Sequence, residues 1–345
     1  MASNLQLYSG SPLIGSPIVY RCTAASPTGD VTFQRLKLKV HAGLSSEGVY
    51  YDFEFSRPVQ KGATVEFDIS SALIAVAEKY EYTAEPPVHY PYIAFNLEAC
   101  DEYMRNGQNS GDVGIVTNPG GRALMGAFSD MERLRASQSG RTTSRFSRKP
   151  STTPEIVIVG ETYVRAEPMT VTIGNISNGP KVFESVFTSA GSHSFYVGTE
   201  RVNVYAVAAS QDRYQLRFIN GLGCMESIAV QCLVNGEMQI KSDDYVIARQ
   251  ELFNTVSRSA VVKQNDREVW KMSSGPLDRA WQSWFLHELI PASQVWIHID
   301  DMWVPCQIIP EETVKSFNRQ TAAPLEVQFS VRLDINGSPM AALAV

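Results

Sequence analysis

Hydrophobic residues recur at every second position through Leu36-Lys37-Leu38-Lys39-Val40 and again through Val49-Tyr50-Tyr51-Asp52-Phe53-Glu54-Phe55. That is the pattern of strands with one buried and one wet face. Similar runs lie at Tyr92 to Leu97, Ile156 to Val159, Met169 to Ile173, Val202 to Val207, Tyr214 to Ile219, Val295 to Ile299 and Leu325 to Ile335. Turn formers punctuate them at Ser26-Pro27-Thr28-Gly29-Asp30, Asn178-Gly179-Pro180, Asn235-Gly236 and Asn336-Gly337, residues that supply positive φ or preset a bend.

Two stretches change to helical spacing. From Ile69 to Tyr80 the apolar positions Leu73, Val76, Ala77 and Tyr80 share one face, and Asp68, Ser70 or Ser71 can cap the first turn. From Asp278 to Ile290 the stripe Leu277, Trp281, Trp284, Phe285 and Leu289 is wide enough to bury, with Asp278 as N-cap and Pro291 as stop. The pattern predicts a mainly β chain of two β-sandwich-like domains, residues 1–219 and 220–345, each with one helix packed on a sheet. Trp281 and Trp284 are expected as core anchors, since aromatics on a helix stripe bury large areas.

Between 105 and 154 the pattern lapses. Asn106-Gly107-Gln108-Asn109-Ser110-Gly111, Asn118-Pro119-Gly120-Gly121 and Ser137-Gln138-Ser139-Gly140-Arg141 are too polar and too rich in turn formers to build core. A long basic loop or arm is expected, with a short helix from Ser129 through Arg135. Seven basic residues, Arg122, Arg133, Arg135, Arg141, Arg145, Arg148 and Lys149, stand against Asp130 and Glu132. They are the candidate contacts to a neighbouring subunit or a polyanion, the other reading being a solvated loop.

Charge narrows the partners. The 345 residues carry a net charge of -6, which argues against a surface built to hold nucleic acid. No window reaches the roughly 20 apolar residues of a membrane span, and Met-Ala-Ser-Asn-Leu lacks the basic start of an export signal. A chain made in the cytoplasm is expected. Five scattered cysteines without a Cys-x-x-Cys pair read as reduced and buried.

Catalytic patterns are missing from the sequence. Asp243-Asp244, Asp300-Asp301 and Glu311-Glu312 are adjacent acids, which on a strand face opposite ways. His41, His89, His193, His287 and His298 form no metal-binding spacing. His298 could meet Asp300 or a distant serine. Asn220-Gly221-Leu222-Gly223-Cys224 contains Gly-x-Gly without the third glycine of a dinucleotide loop and reads as a hairpin or crossover. No enzyme, metal or cofactor is expected.

Phe67-Asp68-Ile69-Ser70-Ser71-Ala72-Leu73, Leu216 to Ser227, Ser274-Gly275-Pro276-Leu277-Asp278, Trp303-Val304-Pro305-Cys306 and Glu326 to Gly337 are similar to proteins of phages and prophages of gut Bacteroidetes. The chain resembles their tail structural proteins, of distal-tail or baseplate type. That resemblance implies a virion component without catalytic residues, forming a homo-oligomeric ring against neighbouring tail proteins. In distal tail proteins the ring-forming domain is usually N-terminal, whereas here the helix-bearing domain expected to form the ring is C-terminal. The alternatives are a β-sandwich adhesion module binding host glycan through Tyr90, Tyr92 and Tyr196, and a tail-associated hydrolase.

Overall fold

The computed structural model describes residues 4–10, 13–44, 48–79, 86, 92–128, 144–145, 147–151, 153–167, 170–171, 182–251, 254–310 and 325–336. The chain is mainly β, as its alternation predicts, with two short α-helices among the described residues.

The first part contains β1 (Asn4–Gly10), β2 (Ile18–Thr23), β3 (Val31–Leu44), β4 (Tyr50–Pro58), β5 (Thr64–Asp68), α1 (Ser70–Ala77), β6 (Tyr92–Arg105), β7 (Gln108–Asn109) and β8 (Val113–Leu124). A three-stranded sheet, β1-β2-β5, shares one core with a sheet ordered β4-β3-β6-β7, to which β8 adds along β6. Leu36, Leu38, Val40, Ala42 and Leu44 point into that core from β3, and Ile93, Phe95, Leu97 and Ala99 from β6. The intervening Arg35, Lys37 and Lys39 face outward, where Glu98, Glu102 and Asp112 meet them in a ladder of ion pairs. None of the expected residues caps α1: its N-cap is Ile69, without a side-chain cap bond, and Asp68 instead braces the approach, its Oδ1 accepting from Ser70 N at 3.0 Å and from Ile18 N at 3.1 Å, which ties the helix start to β2.

The stretch from Arg105 is not a free arm throughout. Residues 113–124 form β8, which pairs with β6 from Asp101↔Val113 to Tyr92↔Leu124. Asn118-Pro119-Gly120-Gly121 is taken up as a bulge, because pairing passes from Leu97↔Asn118 to Phe95↔Gly121 with the Pro-Gly pair unopposed. Main-chain pairing asks little of side-chain composition, so a polar segment can complete a sheet. Its end still buries Ala123 and Leu124. The short helix expected from Ser129 lies outside the described residues.

A small middle part follows: β9 (Ser144–Arg145), β10 (Glu155–Ile158), β11 (Thr162–Ala166), β12 (Thr170–Val171), β13 (Val182–Val186), β14 (Gly191–Val197) and β15 (Glu200–Val207). The hairpin of β14 and β15 takes β10 as a parallel third strand. Tyr163, Phe183, Phe187 and Phe195 meet edge-on and stacked at centroid distances of 4.7 to 6.4 Å. Aromatic packing gives this part its own core.

The last part is a closed antiparallel barrel, β16-β17-β18-β21-β20-β19. Its strands are β16 (Arg213–Ile219), β17 (Met225–Glu251), β18 (Asn254–Leu277), β19 (Val295–Ile299), β20 (Met302–Pro310) and β21 (Leu325–Asn336), with α2 (Arg279–Trp284) between β18 and β19. The barrel starts at Arg213, so a domain boundary at 219/220 would divide a hairpin. Asp278 caps α2, accepting from Trp281 N at 2.9 Å. A π turn over Phe285–Leu289 then widens the helix. Trp281, Trp284, Phe285 and Leu289 close the core over Leu216, Phe218, Met272, Ile297, Phe329 and Val331, as expected of anchors. Asp300 and Asp301, at φ 47° and 62°, form the two-residue turn between β19 and β20, the left-handed pair that such hairpins require.

β17 and β18 outrun the barrel. Among the described residues β16 pairs with β17 as far as Gln231, and β21 with β18 as far as Arg267, opposite its last described residue Asn336. From Lys241↔Gln264 to Glu251↔Asn254 the two strands, among the described residues, pair only with each other, a ribbon about 35 Å long at ~3.3 Å per residue. Asn235-Gly236, expected as a turn, is a bulge at the root, between Val234↔Lys271 and Glu237↔Val269.

A small core of Leu13, Leu124, Phe128, Ala166, Leu222 and Cys224 joins all three parts. There Gly126 lies against the Asn220–Cys224 turn so closely that a Cβ would sit 2.3 Å from the Leu222 carbonyl carbon. Gly126→Ala should therefore cost about 1–3 kcal/mol by overpacking, read as a lowered chemical-denaturation midpoint; an unchanged midpoint would mean that this contact is not tight in solution.

Candidate functional site

The site with the densest chemistry is a sealed ionic joint where the strap Ser147–Ser151 crosses from the middle part to the barrel. Lys149 is buried, with its side chain fully sealed. Its Nζ donates to Glu155 Oε1 at 2.6 Å and to the carbonyl of Ser227 on β17. It also lies 5.2 Å from the Tyr163 ring and 5.5 Å from that of Trp284. Tyr163 donates its hydroxyl to Glu155 Oε2 at 3.0 Å, so that carboxylate is held from two sides.

The neighbouring residue, Arg148, donates to Glu288 Oε1 at 2.5 Å, while Glu288 Oε2 accepts from Gly221 N at 2.9 Å. Glu288 thus clamps the strap and the Asn220–Cys224 turn to the helical segment after α2. That turn is itself braced by Asn220 Oδ1, which accepts from the amides of Leu222 and Cys224 at 3.0 Å each. The first part joins through Ala127 N, which donates to Gly221 O at 2.8 Å.

Two further charges complete the joint. Arg165 on β11 is fully buried; Nη2 donates to the Lys149 carbonyl at 3.1 Å, and Nε and Nη1 have no hydrogen-bond partner. Glu226 on β17 is fully buried with both oxygens unpaired. Burial pushes its carboxyl up to about 7, against the pull of Lys149, the Ser147 hydroxyl and Arg165, and Glu288 raises it further. Burial likewise raises the thiols of Cys22 to about 12, Cys100 to about 11 and Cys224 well above the usual range, so these cysteines stay protonated. All five are free, and four are buried.

Of the seven basic residues singled out from sequence, the structure turns two inward. Lys149 and Arg148 pair within the chain; Lys149 has no outward reach to a polyanion or a neighbouring subunit. The carboxylates of Glu155 on β10 and Glu288 on the helical segment draw them in. Arg122 lies on β8 with its guanidinium 4.8 Å from the Tyr92 ring. Arg145 is on β9, its main chain paired with Thr170. Arg133, Arg135 and Arg141 lie outside the described residues. Sequence reasoning missed Glu226 and Glu288. Both sit in apolar runs, Cys224-Met225-Glu226-Ser227-Ile228 and Phe285-Leu286-His287-Glu288-Leu289, and an acid on a buried face announces a buried cation.

Other candidates are not assembled into sites. His298 meets neither Asp300 nor a serine; it pairs with Glu161 at 2.8 Å, its ring tilted over Trp303 at 4.8 Å. A cleft of about 180 Å³ beside the joint is lined by Pro154, Ile156, Pro276, Leu277, Trp281 and Phe285. Its rim hydroxyl on Thr153 is committed to Asp278 at 2.8 Å. Tyr92 and Tyr196 lie on different sheets, and Tyr90 lies outside the described residues. Among the described residues no helix is long and apolar enough to cross a membrane, and no three His, Cys, Asp or Glu side chains group to hold a metal. The chain matches no protein-family model and none of the curated proteins.

The joint is a fastening: its buried charges fix the strap, β11, β17 and the helical segment against one another. Lys149→Met should cost about 3–5 kcal/mol by stranding Glu155, and Lys149→Met with Glu155→Leu should recover most of that loss. A double-mutant cycle by urea denaturation reads both. Additive losses would mean that the pair is not coupled.

Proposed function

We propose that this chain is a structural component of a phage virion, a ring-forming part of the tail or baseplate that acts through copies of itself and neighbouring tail proteins rather than by catalysis. The observation that carries this reading is the ribbon of β17 and β18. An isolated two-stranded hairpin is at best marginal in water. Here eleven successive pairs, Lys241↔Gln264 to Glu251↔Asn254, run without a bulge.

Natural sheet edges are guarded by proline, bulges or short length. In this ribbon the bulges are confined to the root, between Cys232 and Lys241, and no proline occurs between Pro180 and Pro276. The ribbon carries charges, among them Lys241, Asp243, Asp244, Arg249, Arg258 and Lys263, but its regular main-chain edge is open to pairing with another chain. The barrel offers no such edge because it is closed, so adhesion is concentrated in the one element that leaves it. A head-to-tail contact through such an arm closes into a ring when its rotation permits. The similarity of Leu216 to Ser227 and Glu326 to Gly337 to phage tail proteins supports the same reading.

The test is solution mass by light scattering over a wide concentration range, with the same samples seen by negative-stain microscopy. Discrete closed rings are expected from the full chain. A variant in which Asn-Gly replaces residues 242–263, joining Lys241 to Gln264, should keep the β signature in circular dichroism and lose the rings. A full chain that stays monomeric throughout, or a trimmed chain that still forms rings, would overturn the proposal.

A further inference from the structure

The ionic joint leaves one of its buried carboxyl groups without an ion pair. Lys149, Arg165 and Arg148 stand against three buried carboxyl groups, Glu155, Glu288 and Glu226. Glu155 is engaged by Lys149 and Tyr163, and Glu288 by Arg148 and the Gly221 amide. Glu226 is bonded to no cation and faces the Ser147 hydroxyl. A charge there lacks both solvent and a bonded cation, so the closed joint favours its neutral form.

We propose that the joint is a proton-operated latch: it closes around a protonated Glu226 and loosens when Glu226 ionises, the moving piece being the strap Ser147–Ser151. The groups facing Glu226 come from each element packed on it. Ser147 and Lys149 belong to the strap, Arg165 to β11, Cys224 to the turn before β17 and Glu288 to the helical segment after α2. Of these, Lys149 and Arg165 favour the carboxylate, Glu288 opposes it, and the Cys224 thiol stays neutral. Lifting the strap withdraws Lys149 and admits water to Glu226, so the open state holds a carboxyl of ordinary acidity while the closed state holds a raised one.

The direction follows from linkage. The closed state binds the proton up to about pH 7, whereas the open state releases it near the usual 4.5. Closure is therefore strongest below pH 4.5, weakens as pH rises to about 7 and levels off above that. Because the strap lies between β9 and β10 of the middle part and is pinned to Ser227 and Glu288 of the barrel part, the latch decides how firmly those two parts move as one body.

Amide hydrogen exchange at Ser147, Arg148, Lys149 and Ser151, measured on the full chain from pH 5 to 8.5 and corrected for intrinsic exchange, tests this. Strap opening should rise roughly tenfold per pH unit from 5 to 7, approaching a hundredfold, and then level off. Glu226→Gln, which keeps the shape and cannot ionise, should show a flat profile. A wild-type strap indifferent to pH, or a Glu226→Gln profile like the wild type, would overturn the latch. Should Glu226→Gln lose its fold, carbon NMR titration of the Glu226 carboxyl in the unaltered chain is set beside its strap exchange: opening that rises over the range in which Glu226 ionises upholds the latch, and a midpoint near 4.5 or opening that does not follow the titration ends it.

Discussion

Taking an ammonium group out of water is among the costliest things a fold can do, and this chain does it at Lys149 to connect its parts. The bond set around that nitrogen reaches Glu155 at the start of β10 and Ser227 on β17. Arg165 on β11 holds the Lys149 carbonyl, and Arg148 beside it engages Glu288 after α2. No one of these elements can shift without stranding a charge. Apolar contacts at the small joint core alone would tolerate sliding, since hydrophobic burial has no direction. The ionic pairs supply orientation.

Rigidity at the joint bears on what the barrel can do. A closed antiparallel barrel has no strand edge to share, and the helix cap of Trp281, Trp284 and Phe285 occupies its core. What the barrel offers beyond closure is the extension of β17 and β18, which among the described residues run past the strands that flank them. β17 also carries Glu226 and Ser227 at its root. The strand that emerges as the ribbon is thus the one gripped by the joint, so the ribbon's direction is fixed relative to the strap and β11. An arm aimed by a rigid root loses less freedom on pairing than a flexible one.

Much of the fold was legible because the chemistry was local. Leu36-Lys37-Leu38-Lys39-Val40 needs no partner to declare a half-buried strand, and Asp278 marks a helix start. The illegible parts depend on distant residues. β8 passes through Pro119-Gly120 and still pairs, because β6 supplies a long edge with room for a bulge. The ribbon carries a turn-like Asn235-Gly236 that pairing overrides. Lys149 looked like one more cation in a basic stretch, and only the inward acids at 155, 226 and 288, up to 139 residues away in sequence, turn it inward.

The two charged regions answer acid in opposite senses. On the outer sheet Glu102 is drawn down to about 2 by Lys37, Asn109 and Arg35, and Asp112 to about 2 by Lys39 and Lys37. Their contribution is present above their ordinary values of 4.5 and 3.8 and is lost as pH falls toward 2. Glu226 is raised, so its contribution is present below 4.5 and lost as pH climbs to about 7. The outer members of the ladder, Arg35, Lys39 and Glu98, are screened by salt and water, whereas Glu226 is shielded from both. Near pH 4.5 the two demands are met together; on the acid side the first sheet weakens, and on the neutral side the joint does. One chain thus places its acid-sensitive charges on an open face and its base-sensitive charge at the hinge between parts, so a change of pH around neutrality acts on how the parts are fastened while leaving the ladder of the first sheet intact.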